Sequence, residues 1–160
     1  MKTITNKPMK KHTLSLLILF LVISCSLESK FSLPNDENIN PKLIGEWYIG
    51  KDNDEKLTII KHGEKTYKLL LTGKEKTDEI ISFSKTVNGF QIMNLKTEYE
   101  NKITNVFYGF KVEGNTLIFS EINNKLINKE FKSKTELLNF FKENINKDDF
   151  FINQTELIRK

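Results

Sequence analysis

The feature that most constrains this chain is a succession of short β-forming runs, separated by turn signals roughly every eight to twelve residues. They span 43–49, 56–60, 66–71, 79–84, 90–95, 103–112 and 116–120. Side chains alternate across a strand, so Tyr67, Leu69 and Leu71 share one face of their run. Val106, Tyr108, Phe110 and Val112 share a face of theirs. Asn88-Gly89 and Gly114-Asn115 supply hairpin turns, and His62-Gly63-Glu64 offers another. Strands this short and this regularly turned predict an antiparallel barrel or sandwich.

One segment departs from the strand period. In 133–147, Ser133 and Glu136 have the spacing of a capping box, and Leu137, Phe140, Phe141 and Ile145 recur at helical spacing. A short strand near 126–127 precedes it. Residues 148–160 resume as a strand carrying Phe151, Leu157 and Ile158. The predicted order is a β-meander, one helix, then a last strand placed to close the sheet beside the first. Residues 42–160, about 119 in number, suffice for one domain and are too few for two.

The amino-terminal region has a different character. Lys2, Lys7, Lys10 and Lys11 precede an apolar run over 14–23, which ends in Ser24 and the only cysteine, Cys25. This is the layout of a secretory signal, and the run is well short of the roughly 20 residues a spanning helix needs. Val22-Ile23-Ser24-Cys25 resembles the lipobox of bacterial lipoproteins. The resemblance implies cleavage between Ser24 and Cys25, removal of 1–24, a diacylglyceryl group on the Cys25 sulfur and an acylated new amino terminus. Several acyl chains hold a soluble domain firmly to a membrane, so the implied location is the cell envelope, at the outer membrane. Residues 25–41, polar and carrying Pro34 and Pro41, then read as the lipidated cysteine followed by a flexible tether.

The leader also accounts for the basic balance. It holds four of the 25 cations, which leaves 21 against 21 anions. No concentrated basic face remains for a nucleic acid. With Cys25 acylated there is no disulfide and no cysteine metal site. His62 is then the only histidine, and it lies in a turn. A nucleophile–base pair or a zinc cluster of the usual kind needs more than that. Asp52-Asn53-Asp54-Glu55 bunches polar residues but is followed by Lys56-Leu57 where a calcium loop needs a glycine and further ligands. We expect no catalytic residues, no metal and no cofactor, and hence no enzyme.

Gly45-Glu46-Trp47 on the first strand resembles the Gly-x-Trp signature of lipocalins and related small barrels. The arrangement over nearly the whole chain is similar to that of small lipocalin-like bacterial lipoproteins, with the helix ahead of the last strand instead of after the barrel. The resemblance implies a mainly β, antiparallel up-and-down barrel of about eight strands. It also implies that Trp47 plugs one end and that Arg159, the only arginine, covers its ring. Tyr67, Phe90, Phe107, Tyr108, Phe110 and Phe119 then either line a cavity or fill the barrel. Two functions stay open. One is a membrane-anchored module binding a small apolar ligand. The other is an anchored interaction or inhibitor/immunity-type module with a filled barrel, acting on another envelope or secreted protein of unknown identity.

Overall fold

Eight strands lie beside one another in space in the order in which they occur in sequence. A computed structural model describes residues 26–50, 55–128 and 130–160. A two-residue strand β1 (Glu28–Ser29) comes first, then β2 (Gly45–Ile49), β3 (Lys56–Lys61), β4 (Tyr67–Thr72) and β5 (Thr77–Val87). β6 (Phe90–Tyr99), β7 (Lys102–Glu113) and β8 (Thr116–Ile122) follow, then the helix α1 (Lys134–Asn144) and β9 (Phe151–Ile158). Each strand from β2 to β9 pairs antiparallel with the next. β9 also pairs with β2, through Tyr48↔Ile158 and Ile49↔Leu157, and this closes the barrel. Closure satisfies the edges that a free sheet would expose.

Alternation sorts the side chains into two cores. The barrel interior takes Leu57 and Ile59, Tyr67 and Leu69, Met93 and Leu95, and Val106, Tyr108 and Phe110 from successive strands. On β5 to β8 several outward positions are apolar too: Phe83, Ile92, Phe107 and Ile122 are all buried. A sheet face of that kind must be covered, and α1 covers it. Leu137, Phe141 and Ile145 are buried there, with the Phe141 ring 5.5 Å from Phe107 and 5.9 Å from Phe150. The Ser133 Oγ accepts from the Glu136 N–H at 3.1 Å and fixes the start of the helix. Glu136 accepts from the Lys132 N–H at 2.6 Å.

The segment expected to be a tether is part of the domain. From Ser26 to Glu37 the chain lies against the outer wall, with Ser26, Leu27, Ser29 and Leu33 buried. β1 adds to the edge of β7, through Glu28↔Val106 and Ser29↔Asn105, below the point where β8 takes over that edge. The Phe107 N–H donates to the Leu27 carbonyl at 3.1 Å. Two buried asparagines on β6 and β7 draw the segment in. Asn94 accepts from the Leu33 N–H at 3.0 Å and donates to Asn105, which donates to the Ser29 carbonyl at 3.3 Å. Buried amides need such partners. Every described strand and both cores lie within 26–160. The strand expected near 126–127 is absent. A 3-10 turn, Asn124–Leu126, stands there, with the Asn123 side chain accepting from the Lys125 N–H. Cys25 and the leader lie outside the described residues.

Candidate functional site

The two ends of the barrel differ. At one end Gly45 has φ +141°, a region that L side chains rarely adopt, and brings the chain into β2. Two residues on, Trp47 is fully buried, and its indole N–H donates to the Leu43 carbonyl at 2.8 Å. Arg159, just past β9, lies over the indole with its guanidinium carbon 4.2 Å from the ring centroid. Its Nη2 donates to the carbonyls of Lys42 (2.7 Å) and Ile44 (3.1 Å). Tyr67 fills the same end, its hydroxyl accepting from the Asn40 N–H at 2.5 Å.

Among the described residues the opposite end carries no such plug. A cavity of about 90 Å³ lies there, lined by apolar side chains from the strand ends: Ile49, Leu57, Leu69, Leu71, Leu95 and Leu157 among them. Tyr108 and Phe119 also line it, packed edge to face with ring centroids 6.2 Å apart. Among this lining stands a carboxylate. Glu121 is 5 % exposed and lines the cavity with Asn153 and Thr155.

A bulge places that pair. The β8–β9 register steps from Ser120↔Gln154 to Glu121↔Ile152, so Asn153 has no partner in the ladder. Asn153 takes φ +48°, which asparagine tolerates better than most residues. Its amide Nδ2 donates to Glu121 Oε2 at 2.8 Å. No Lys, Arg or His among the described residues forms an ion pair with Glu121.

The six aromatic residues considered for the barrel divide three ways. Tyr108 and Phe119 line the mouth. Tyr67 and Phe110 point into the barrel but are buried away from the cavity, Tyr67 at the plugged end and Phe110 against Phe119 at 6.4 Å. Phe90 is on the outside, 40 % exposed, with its ring 5.6 Å from Phe151. Register decides this: Gln91 pairs with Phe110, so Gln91 takes the inward position and Phe90 the outward one. Phe107 is outward as well, in the core beneath α1.

Glu121 and Asn153 were not among the sequence candidates. A signal for Glu121 exists, since it shares the inward parity of Leu117 and Phe119 on β8. Asn153 depends on the bulge, which no local pattern announces. A second, wider groove of about 580 Å³ runs along the rim between Ser26–Lys30, Lys102 and Thr104 on one side and Asn124, Ile127 and Phe131 on the other. It is edged by charges of both signs. His62 is exposed in the β3–β4 turn, its N–H donating to the Thr66 carbonyl. Ser24 and Cys25 lie outside the described residues, as do 51–54, which hold most of the acidic stretch before β3.

Fold and site define a closed eight-stranded antiparallel barrel with an indole buried at one end and an apolar mouth at the other. No protein-family model, no curated protein and no solved structure matches the chain.

Proposed function

We propose that this protein is a lipid-anchored component of a bacterial cell envelope, held at the outer membrane through acylated Cys25, whose barrel mouth binds a small apolar ligand. The observation that carries the binding half is the mouth itself, a small cavity walled, among the described residues, by leucine and isoleucine side chains together with Tyr108 and Phe119. Water against such a surface is unfavourable, and a ligand that covers it is stabilised by the area removed from water. The cavity, about 90 Å³, is below the roughly 300 Å³ at which drug-sized sites begin. The ligand is therefore small, or enters by one end only. The anchor half rests on the lipobox-like Val22-Ile23-Ser24-Cys25 after a short apolar run.

Native mass spectrometry on residues 26–160 tests the binding half. The expected result is an adduct of reproducible mass that is lost on denaturation, or one acquired when short alcohols, amines and fatty acids are offered. A bare polypeptide after all three would reject ligand binding and turn the search to protein partners. For the anchor, Cys25→Ser should release the protein from membranes into the soluble fraction. Unchanged membrane association of that variant would reject acylation.

A further inference from the structure

We infer that the mouth selects a positively charged ligand, an apolar amine whose ammonium group pairs with Glu121 while its hydrocarbon part lies on the leucines of the rim. The inference rests on the reading of the mouth as a binding site and adds the chemistry of what binds. A carboxylate taken out of water is costly unless it is paired and hydrogen-bonded. Glu121 is nine-tenths buried, yet among the described residues its one hydrogen bond is a neutral amide from Asn153, made to Oε2. The cavity in front of it is walled mainly by Ile49, Leu69, Leu71, Leu95 and Leu157, and the polar side chains that join Glu121 in its lining, Tyr108, Asn153 and Thr155, are all neutral. No lysine or arginine supplies the missing charge among the described residues.

A structural role for this pair in pinning the β8–β9 bulge needs only a neutral acceptor opposite Asn153, which glutamine would provide. What a carboxylate adds is charge, directed into an apolar pocket. An ammonium brings three donors and the opposite sign. A fatty carboxylate would instead place like charges together in a poorly hydrated site, so the same residue excludes anionic amphiphiles.

The test uses residues 26–160, which hold both cores, with hexylammonium, hexanol and hexanoate as probes of equal chain length in titration calorimetry. Hexylammonium should bind about tenfold more tightly than hexanol or better, as expected for a hydrogen bond to a charged group. Hexanoate should be weakest. Glu121→Gln should abolish the advantage of the amine over hexanol. Leu71→Phe, which narrows the rim without touching the carboxylate, should weaken all three. Hexanol or hexanoate binding as well as the amine to the unaltered protein would overturn the inference and leave the mouth a binding site. Failure of all three probes to bind would overturn both. Should Glu121→Gln fold poorly, the order of the three probes on the unaltered protein decides the matter alone.

Discussion

The guanidinium of Arg159 lies over the Trp47 indole, 4.2 Å from its centroid, and ties the end of the chain to the first strand of the barrel. The ring contact contributes about 0.5–2 kcal/mol. The Nη2 bonds to the Lys42 and Ile44 carbonyls add to it, because those acceptors lose a charged donor when the arginine is removed. Arg159→Ala should therefore lower stability in urea by about 2–4 kcal/mol and shift the emission of Trp47, the only tryptophan. Arg159→Lys should recover less than half of the loss, since a point charge cannot reproduce the planar fork. A variant with an unchanged urea midpoint and unchanged emission would show that the pair is mere proximity.

Gly109 sits on the outer face of β7, where no left-handed backbone demands a glycine. The reason is space. A Cβ there would overlap the Phe151 ring, coming within 2.7 Å of Cδ1. Phe151 has little freedom to yield, because Phe150 and Phe90 flank it at 4.9 and 5.6 Å. Gly109→Ala should cost about 1–3 kcal/mol, as overpacking does. In a Phe151→Ala background the same change should cost under about 1 kcal/mol, a coupling that a double-mutant cycle measures. Equal costs in both backgrounds would place the strain elsewhere.

How much of this was legible in the sequence follows from where the signals are local. Strand existence was legible because Tyr67, Leu69 and Leu71, or Val106, Tyr108 and Phe110, alternate within a few residues. Closure by the last strand was legible from the order of elements, and β9 does pair with β2. The helix carried its own start signal in Ser133 and Glu136. What escaped depends on register or on distant partners. Phe90 lies one residue from an inward position, and a one-residue difference reverses the face. The segment 26–41 has the composition of a linker, and its attachment comes from Asn94 and Asn105, more than sixty residues away on the barrel wall. Glu121 shows in the alternation of β8, but its meaning appears only when β9 places Asn153 beside it.

The packed amino-terminal segment makes a prediction that separates it from a tether. Leu33 is almost fully buried in the outer core, so Leu33→Ala should cost about 2–4 kcal/mol. Asn94→Ala removes the acceptor of the Leu33 N–H and the donor to Asn105, and should cost about 1–3 kcal/mol. Chemical denaturation of both variants checks this, together with hydrogen exchange at the Leu33 amide, which should be protected. Neutral substitutions and an amide that exchanges at the rate of unstructured chain would mean that the segment does not contribute to folding.

Acid should loosen the next stretch of that segment first. Lys85 on β5 reaches both Asp36 and Glu37 at 2.8 Å, and Glu37 also accepts from the Thr86 N–H and hydroxyl. The hydrogen bond from Lys85 holds the Asp36 carboxyl below its usual range, against a small opposing effect of burial. Burial pushes Glu37 up, but the bonds from Lys85 and Thr86 outweigh it and leave that carboxyl lowered too. Bonds to Asp36 and Glu37 raise Lys85. A lowered carboxyl stabilises the fold above its unfolded pKa, about 4, and that contribution disappears as pH falls through the lower folded value. The raised lysine contributes below about pH 10.4 and loses its contribution above it. The cluster therefore stabilises between those limits. Solvent screening keeps the contribution of Glu37 to about 1 kcal/mol or less. Thermal melts from pH 7 to pH 3 should fall less steeply for Lys85→Met than for the unaltered protein, and the gap between the two should narrow in 0.5 M salt, where the Debye length falls to about 4 Å. Parallel melting curves across that pH range would show that the cluster carries no linked protons.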